Sequence, residues 1–350
     1  MNLSVLRILD ASANRTAEGL RVLEDYVRFV LDDPFLTQQI KNLRHRLAQA
    51  LASIESFQLI SARETQQDVG TGLTESTEAA RQTAEEVLTA NFHRVQQGLR
   101  SLEEWGKLLT ADLAQTAKQL RYQVYTLQRA FRISQWSRQR LAQAQLYVLI
   151  NGGATEEQFR QKVARLVAAG VSILQLRDKT LPDRQLLSRA RLLRQLTQTT
   201  QTLCIINDRP DLALLAGADG VHLGQEDLSV KEARHVLGPD RIIGVSTHSI
   251  QQARQAVLDG ANYIGVGPTF PSSTKEFSEF PGLELLRQVA QEIRLPAFAI
   301  GGITLENLPQ VLQTGIRRVA VQAAIWDAPD PAKAAETFLA LLRPYYPEPA

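Results

Sequence analysis

One cysteine and one methionine stand among 350 residues, aromatic side chains make up only 6%, and neither sign of charge dominates. A single thiol, Cys204, excludes an internal disulfide and fits a reducing, cytoplasmic setting. Lying within the apolar run LCIIND, it reads as a packed core side chain rather than a nucleophile. Lys and Arg number 39 against 37 Asp and Glu, a net charge of +2, with the two signs interspersed. Nothing there suggests a polyanion-binding surface, so no nucleic-acid partner is expected. No apolar run approaches the ~18 residues of a membrane helix, and the N-terminal stretch MNLSVLRILDASANR lacks the basic-then-apolar order of a secretory signal, so no membrane partner is expected either. What is present is ordinary globular composition, 44% hydrophobic and 22% charged, in a chain long enough for two domains.

The two halves follow different periods. From residue 146 onward, short apolar runs alternate with amphipathic helical segments. The runs are LYVLI (146–150), VSILQLR (171–177), LCIIND (203–208), GVHLG (220–224), IIGVS (242–246), YIGVG (263–267), PAFAIGG (296–302) and VAVQAAI (319–325). Strands apolar on both faces, each followed by a helix, imply a parallel sheet covered by helices. Eight such units predict an α/β fold, a (β/α)8 barrel, with an open doubly wound sheet as the alternative. Residues 1–140 show no strand alternation and predict an all-α domain with an internal repeat. LDASANRTAEGLRVLEDYVRFVLDD (9–33) aligns with LTANFHRVQQGLRSLEEWGKLLTAD (88–112), matching Arg15 to Arg94, Gly19-Leu20-Arg21 to Gly98-Leu99-Arg100, and Glu24 to Glu103. A weaker echo sets IKNLRHRL (40–47) against AKQLRYQV (117–124), so two similar helix pairs are expected to form a pseudo-symmetric bundle. The segment 61–77 reads as a loop and 133–145 as a polar helical connector, which puts the domains at 1–140 and 145–350.

In a parallel barrel the C-terminal strand ends share one rim, where side chains converge. Those ends carry Gln175-Leu176-Arg177-Asp178-Lys179, Asn207-Asp208-Arg209, Gln225-Glu226-Asp227, Ser246-Thr247-His248, GPTFPSSTK (267–275), Gly301-Gly302 and Gln322-Ala323. Asp208 and Asp227 stand on adjacent strand ends, where both carboxylates can reach one hard cation. Mg2+, held by one or two carboxylates plus phosphate oxygens and water, suits that arrangement. Arg177, Lys179 and Lys275, with the hydroxyls of Ser246, Ser272, Ser273 and Thr274, form a complementary anion-binding set. The glycines at the seventh strand end and the helix start after the eighth suggest a second phosphate held by backbone N–H groups. Two phosphate-handling regions on one rim point to a reaction between two phosphorylated small molecules. Plainer readings compete: Asp208 and Asp227 as helix N-caps, Arg177 and Lys179 paired with Asp178 and Asp183, Gly301-Gly302 as a tight turn, and His222 as a packed core side chain.

Taken together and in order, QLRDK, INDRPDLALLAGADGVHLGQED, IGVSTH, GPTFPSSTK and AIGGI resemble the thiamine-phosphate synthase family over roughly residues 145–343. The resemblance implies a TIM barrel that joins a hydroxymethylpyrimidine diphosphate to a thiazole phosphate, carboxylated or not, and releases pyrophosphate. It implies that Gln175, Arg177, Lys179, Asn207, Ser246 and Lys275 bind the pyrimidine diphosphate, with Leu176 and Asp178 in the same run. It places one Mg2+ per active site on Asp208 and Asp227. Ser272, Ser273, Thr274 and Gly302 fall at the thiazole phosphate, with backbone groups near Gln322 and Ala323. Arg177, Lys179, Ser246 and Lys275 are the expected catalytic set. Two departures stand out: the loop reads Ser272-Ser273-Thr274-Lys275 where a threonine often comes first, and Ala323 stands where a serine is frequent. A non-catalytic phosphate-binding regulator and another phosphate-using barrel enzyme are the rival readings.

The first 140 residues resemble a helical extension fused to this enzyme in some bacteria, similar to a hydroxymethylpyrimidine phosphate kinase family. That likeness implies phosphate contacts at Arg15, Arg21, Arg94 and Arg100, with the loop from Arg63-Glu64-Thr65 to Asp68. No P-loop or glycine-rich nucleotide fingerprint accompanies them. Arginines paired with Glu24 and Glu103 in a scaffolding or dimerising domain are the alternative, and a homo-oligomer stays open.

Overall fold

The structure, a computed structural model, describes residues 2–66, 68–69, 80–271 and 280–345. Ser272, Ser273, Thr274 and Lys275 therefore lie outside the described residues. The chain divides into two compact units, Met1–Phe131 and Arg132–Ala350.

The first unit is built from α1 (Leu3–Phe29), α2 (Pro34–Leu51), α3 (Ser56–Ser61), α4 (Ala84–Gly106) and α5 (Ala111–Arg140). The repeat becomes a near-symmetric crossing of α1 and α4. A Cβ on Gly19 would lie 2.7 Å from Val95 Cγ2, and one on Gly98 would lie 2.2 Å from Thr16 Oγ1. Thr16 and Val95 are themselves repeat partners, so each copy presents a glycine to the equivalent position of the other. Leu9, Leu20 and Leu23 are buried, and so are their repeat counterparts Leu88, Leu99 and Leu102. Burying each such side chain is worth roughly 1.5–3 kcal/mol. The acids repeat too: buried Glu24 meets Arg44, and buried Glu103 meets Arg121 at 2.7 Å. The expected connector at 133–145 is largely the end of α5, which contains neither glycine nor proline from Ala111 to Arg140 and so runs unbroken across the division at Phe131.

The second unit is a closed parallel barrel in strand order β1 to β8. Its elements are β1 (Leu146–Ile150), α6 (Glu156–Ala168), β2 (Ile173–Leu176), α7 (Asp183–Thr197), β3 (Leu203–Asn207), α8 (Pro210–Ala216), β4 (Gly220–Leu223), α9 (Val230–Leu237) and β5 (Ile242–Thr247). There follow α10 (Ile250–Asp259), β6 (Tyr263–Val266), α11 (Gly282–Glu292), β7 (Ala297–Ile300), α12 (Leu308–Gln313), β8 (Arg318–Val321), α13 (Ala323–Trp326) and α14 (Pro331–Leu342). Closure excludes the open doubly wound alternative. Alternation explains why the strands are apolar on both faces. Tyr147, Leu149, Ile173, Ile205, Ile242, Tyr263, Phe298 and Ala320 fill the interior. Val148, Leu174, Cys204, Ile206, Val221, Ile243, Ile264 and Val319 are equally buried on the other face, beneath the helices. Burial pushes the Cys204 thiol up, as befits an inert core side chain. The run VAVQAAI is not one strand: β8 stops at Val321 and α13 begins at Ala323. Among the described residues, no helix is long and apolar enough to cross a membrane.

Candidate active site

Asp208 follows β3 with φ 60°, a left-handed backbone that a residue with a side chain seldom adopts. The Arg209 N–H donates to Asn207 O, two residues back, at 2.8 Å, and the Asp208 N–H donates to His222 O on β4 at 2.8 Å. Asp208 is thus the central residue of a tight γ-type turn pinned to the neighbouring strand. It caps no helix: Arg209 is the N-cap of α8, offering no side-chain bond, and Pro210 opens the helix. Asp227 does not cap α9 either, because Ser229 does so in a reciprocal capping box with Glu232. The Asp227 carboxylate instead accepts the Gly224 N–H at 2.7 Å.

Freed from capping, the two carboxylates face each other. The Asp208 carboxyl is raised above its ordinary value, first by burial and then by its hydrogen bond with Asp227 and that residue's negative charge. Lys179 acts in the opposite sense, its Nζ lying 3.4 Å from Asp208 Oδ2. A part-buried and an exposed carboxylate form a hard, all-oxygen donor set that suits Mg2+. No cluster of three or more His, Cys, Asp or Glu side chains able to hold a metal forms among the described residues.

The adjacent β2 end supplies positive charge. Arg177 extends the β1–β2 ladder by one bond, its N–H donating to Ile150 O at 2.8 Å. Its half-buried guanidinium makes no ion pair among the described residues. The surface pairing with Asp178 and Asp183 does not form: Lys179 turns to Asp208, and Asp183 is taken by Arg209. Asp178, expected to touch substrate, is engaged by its own loop and by the loop after β1. It accepts from the backbone N–H groups of Gly152, Thr180 and Leu181 and from the Thr180 hydroxyl. Burial pushes its carboxyl up, but these hydrogen bonds outweigh burial and hold it below the usual range. Leu176 is buried, and alternation turns its side chain away from Gln175 and the barrel interior, so only its backbone can reach the mouth.

Below the rim lies a polar chain that the sequence did not announce. Gln175 Nε2 donates to Tyr147 Oη at 2.5 Å, Tyr147 and Tyr263 hydroxyls meet at 2.9 Å, and Tyr263 Oη lies 3.1 Å from His222 Nδ1. His222 Nε2 then meets Ser246 Oγ at 2.9 Å. His222 is buried, as its plain reading has it, but it also touches the expected site residue Ser246. Burial pushes its imidazole down to about 4, against a smaller upward pull from Asp227. Gly244, the β5 partner of Tyr263, makes room for the phenol, since a Cβ there would lie 2.0 Å from Tyr263 Cζ. The only available signals were tyrosines at inward positions of two strands, which read equally well as core.

At the far side of the mouth, Gly301 and Gly302 have φ of 100° and 59° and lie under the β6 loop. A Cβ on Gly302 would sit 2.4 Å from Pro271 O, so the pair is required by a close backbone crossing as well as by its turn. Ala323 opens α13, with Gln322 as its N-cap. His248 Nδ1 donates to Gly267 O, tying the β5 end to this loop.

A thiamine monophosphate synthase profile matches residues 146–325, the barrel itself. A thiamine-phosphate synthase of Rhodopirellula baltica is 47% identical over 331 residues, covering 92% of this chain and 88% of that one. The chain belongs to the thiamine-phosphate synthase family. It is an enzyme of thiamine biosynthesis. A thiamine-phosphate synthase of Gloeobacter violaceus is 43% identical over 335 residues and 96% of both chains. The solved thiamine phosphate pyrophosphorylase of Pyrococcus furiosus superposes with a TM-score of 0.52 at 34% identity, covering 57% of this chain and 96% of its own.

The helical unit is a feature shared with some synthases, since both curated relatives span more than the barrel; residues 7–130 match a profile described as the ThiD2 family. Within it, the expected phosphate-binding arginines are met by acids. Arg100 pairs with Glu103 at 3.0 Å and Glu104 at 2.9 Å, and Arg21 approaches Glu24 and Asp25 at 3.8 Å each. Arg63 grips buried Asp10 through two bonds of 2.8 Å. Arg15 and Arg94 remain exposed on the surfaces of α1 and α4. A cleft of about 450 Å³ opens between α1 and α2, lined by Asn14, Lys41, Arg44 and His45 among others.

Proposed function

We propose that the barrel condenses 4-amino-2-methyl-5-(diphosphooxymethyl)pyrimidine with a (carboxy)thiazole phosphate, releasing pyrophosphate, with one Mg2+ held by Asp208 and Asp227. The observation that carries this reading is the facing carboxylate pair beside Lys179 and Arg177. The Asp227 charge that raises the Asp208 carboxyl favours a cation beside the pair, and the neighbouring cations favour an anion next to it. A diphosphate answers both demands.

The bond between the pyrimidine methylene carbon and the diphosphate oxygen breaks, its electron pair leaving with pyrophosphate. The amino-substituted ring stabilises the positive carbon, and the thiazole nitrogen donates the pair that forms the new C–N bond. With a carboxylated thiazole, carbon dioxide also departs. When bound, the divalent ion supplies positive charge to the leaving oxygens. Arg177, Lys179 and the Ser246 hydroxyl contribute fixed charge and hydrogen bonds to the same departing group, a preorganised electrostatic role that needs no covalent intermediate. Gln175 Oε1 is buried without a partner, which leaves an acceptor for the pyrimidine amino group, and Asn207 stands at the next strand end. Gly302, Gln322 and Ala323 offer backbone groups to the thiazole phosphate. Ser272, Ser273, Thr274 and Lys275, which the family resemblance assigns to the same site, lie outside the described residues.

Pyrophosphate release measured with each substrate alone, with both, and with Mg2+ withdrawn tests the reading. Release that requires all three components is expected. Binding of both phosphates with Mg2+ but without pyrophosphate release would overturn it. For the helical unit, the ion pairs of Arg21, Arg63 and Arg100 favour an architectural role for those three. Incubating the full chain with ATP and the pyrimidine monophosphate tests for a kinase step.

A further inference from the structure

We propose that Gln175, Tyr147, Tyr263, His222 and Ser246 form a one-way hydrogen-bond relay through the barrel core, which holds His222 as its Nε2-protonated tautomer and turns the Ser246 hydroxyl hydrogen out toward the ligand. The proposal rests on the condensation reading only for the identity of that ligand.

The direction follows from counting hydrogens. An amide nitrogen can only donate, so Tyr147 Oη accepts from Gln175 Nε2 across 2.5 Å. The Tyr147 hydrogen is then directed to Tyr263 Oη, 2.9 Å away, and the Tyr263 hydrogen to His222 Nδ1 at 3.1 Å. That nitrogen must offer a lone pair. A doubly protonated ring would strand the Tyr263 hydrogen in a core where Tyr263 itself is fully buried. The single imidazole hydrogen therefore sits on Nε2 and is donated to Ser246 Oγ at 2.9 Å. Ser246 cannot return its own hydrogen to His222. It is the one half-buried member of the chain, at the C-terminal end of β5, and its hydrogen is left for an acceptor in the mouth.

The two ends of the relay are complementary. Gln175 presents a buried, unpartnered carbonyl oxygen, and Ser246 presents a hydrogen. A ligand with an N–H donor at one end and an anionic oxygen at the other satisfies both, as an aminopyrimidine diphosphate does. Reversing the chain would leave Ser246 showing lone pairs to a negative group and Gln175 showing hydrogens to an amino group. Coupled hydrogen bonds polarise one another, so one amide orientation commits all four links. Tyr147, Tyr263 and His222 are thus positioning residues: they act on substrate only through Gln175 and Ser246.

The test is the nitrogen spectrum of the ligand-free full chain labelled with 15N-histidine, at neutral pH, with the His222 signal identified by its loss in His222→Asn. Nε2 protonated and Nδ1 bare is expected. An Nδ1–H tautomer, or a charged ring, would overturn the relay. Gln175→Glu replaces the donor with an acceptor, and the expected result is a switch of His222 to the Nδ1–H form. A tautomer unmoved by that change would remove Gln175 from control, and a merely structural role would predict such indifference. If Gln175→Glu fails to fold, the wild-type spectrum alone decides. Neither measurement involves substrate, so absence of pyrophosphate release would sink the condensation reading and leave the relay standing.

Discussion

Asp208→Asn separates the site from the fold. Asparagine keeps the shape of the side chain and tolerates the left-handed backbone that Asp208 occupies at φ 60°. The substitution removes an ion pair with Lys179, whose side chain is 66% exposed, so that loss is worth only about 0–1 kcal/mol. It also removes the repulsion from Asp227 that helps to raise Asp208. The opposing effects leave stability within about 1 kcal/mol of wild type, or a melting shift of roughly 2–4 °C for a domain of this size. Catalysis is expected to respond on another scale. Losing one preorganised contact to developing charge typically lowers kcat/KM on the order of 10²–10³-fold, about 3–4 kcal/mol. The assay is pyrophosphate release across a Mg2+ titration, paired with thermal unfolding with and without the ion. Mg2+ at a hundred times its Kd should stabilise the wild type by about 2.7 kcal/mol, and the variant should lose most of that gain. The pH dependence has a definite sign. A carboxyl raised in the folded state is neutral in both states below its unfolded value. As pH climbs toward the raised folded value, the unfolded chain ionises first and stability falls. The metal-free wild type should show that decline and Asp208→Asn should show less of it. Wild-type kcat/KM with an unchanged Mg2+ response, or activity lost together with a collapse in Tm, would refute the reasoning.

Arg177→Ala removes a rim cation without an ion pair among the described residues, so KM for the diphosphate should rise and kcat should fall while Tm stays level; wild-type kinetics would dismiss its role. Asp178→Ala strips the acceptor from three backbone N–H groups, which should cost about 1–3 kcal/mol and raise KM as the β2 loop loosens. A variant with normal Tm and KM would show that the loop holds itself. Gly98→Ala drives a methyl to 2.2 Å from Thr16 Oγ1, an overpacking of about 1–3 kcal/mol that Thr16→Ala in the same chain should partly relieve. Additive denaturation energies would show that the two positions do not meet.

Much of the fold was legible because buried parallel strands and amphipathic helices write different periods. LYVLI became β1 residue for residue, and the other runs began or ended within a few positions of their strands. VAVQAAI misled because six of its seven residues are apolar and neither glycine nor proline marks Gln322, where β8 hands over to α13. The 133–145 connector merged into α5 for the same reason: without glycine or proline, nothing local stops a helix. The strand-end acids were visible as residue types, yet whether Asp208 caps a helix depended on a turn that no local pattern marks.

The sequence by itself determined the architecture, the two-unit organisation with its helical repeat, and the set of polar residues gathered at one rim. Each of these follows from periodicity or from order along the chain. Tertiary structure alone decided which of those residues face one another: that Asp208 meets Asp227 while Asp178 serves its loop, and that Arg21 and Arg100 meet acids. It alone drew Tyr147, Tyr263 and His222 into one chain with Gln175 and Ser246. Contacts between side chains on five different strands depend on barrel closure and strand register, and those are properties of the closed sheet rather than of any segment within it.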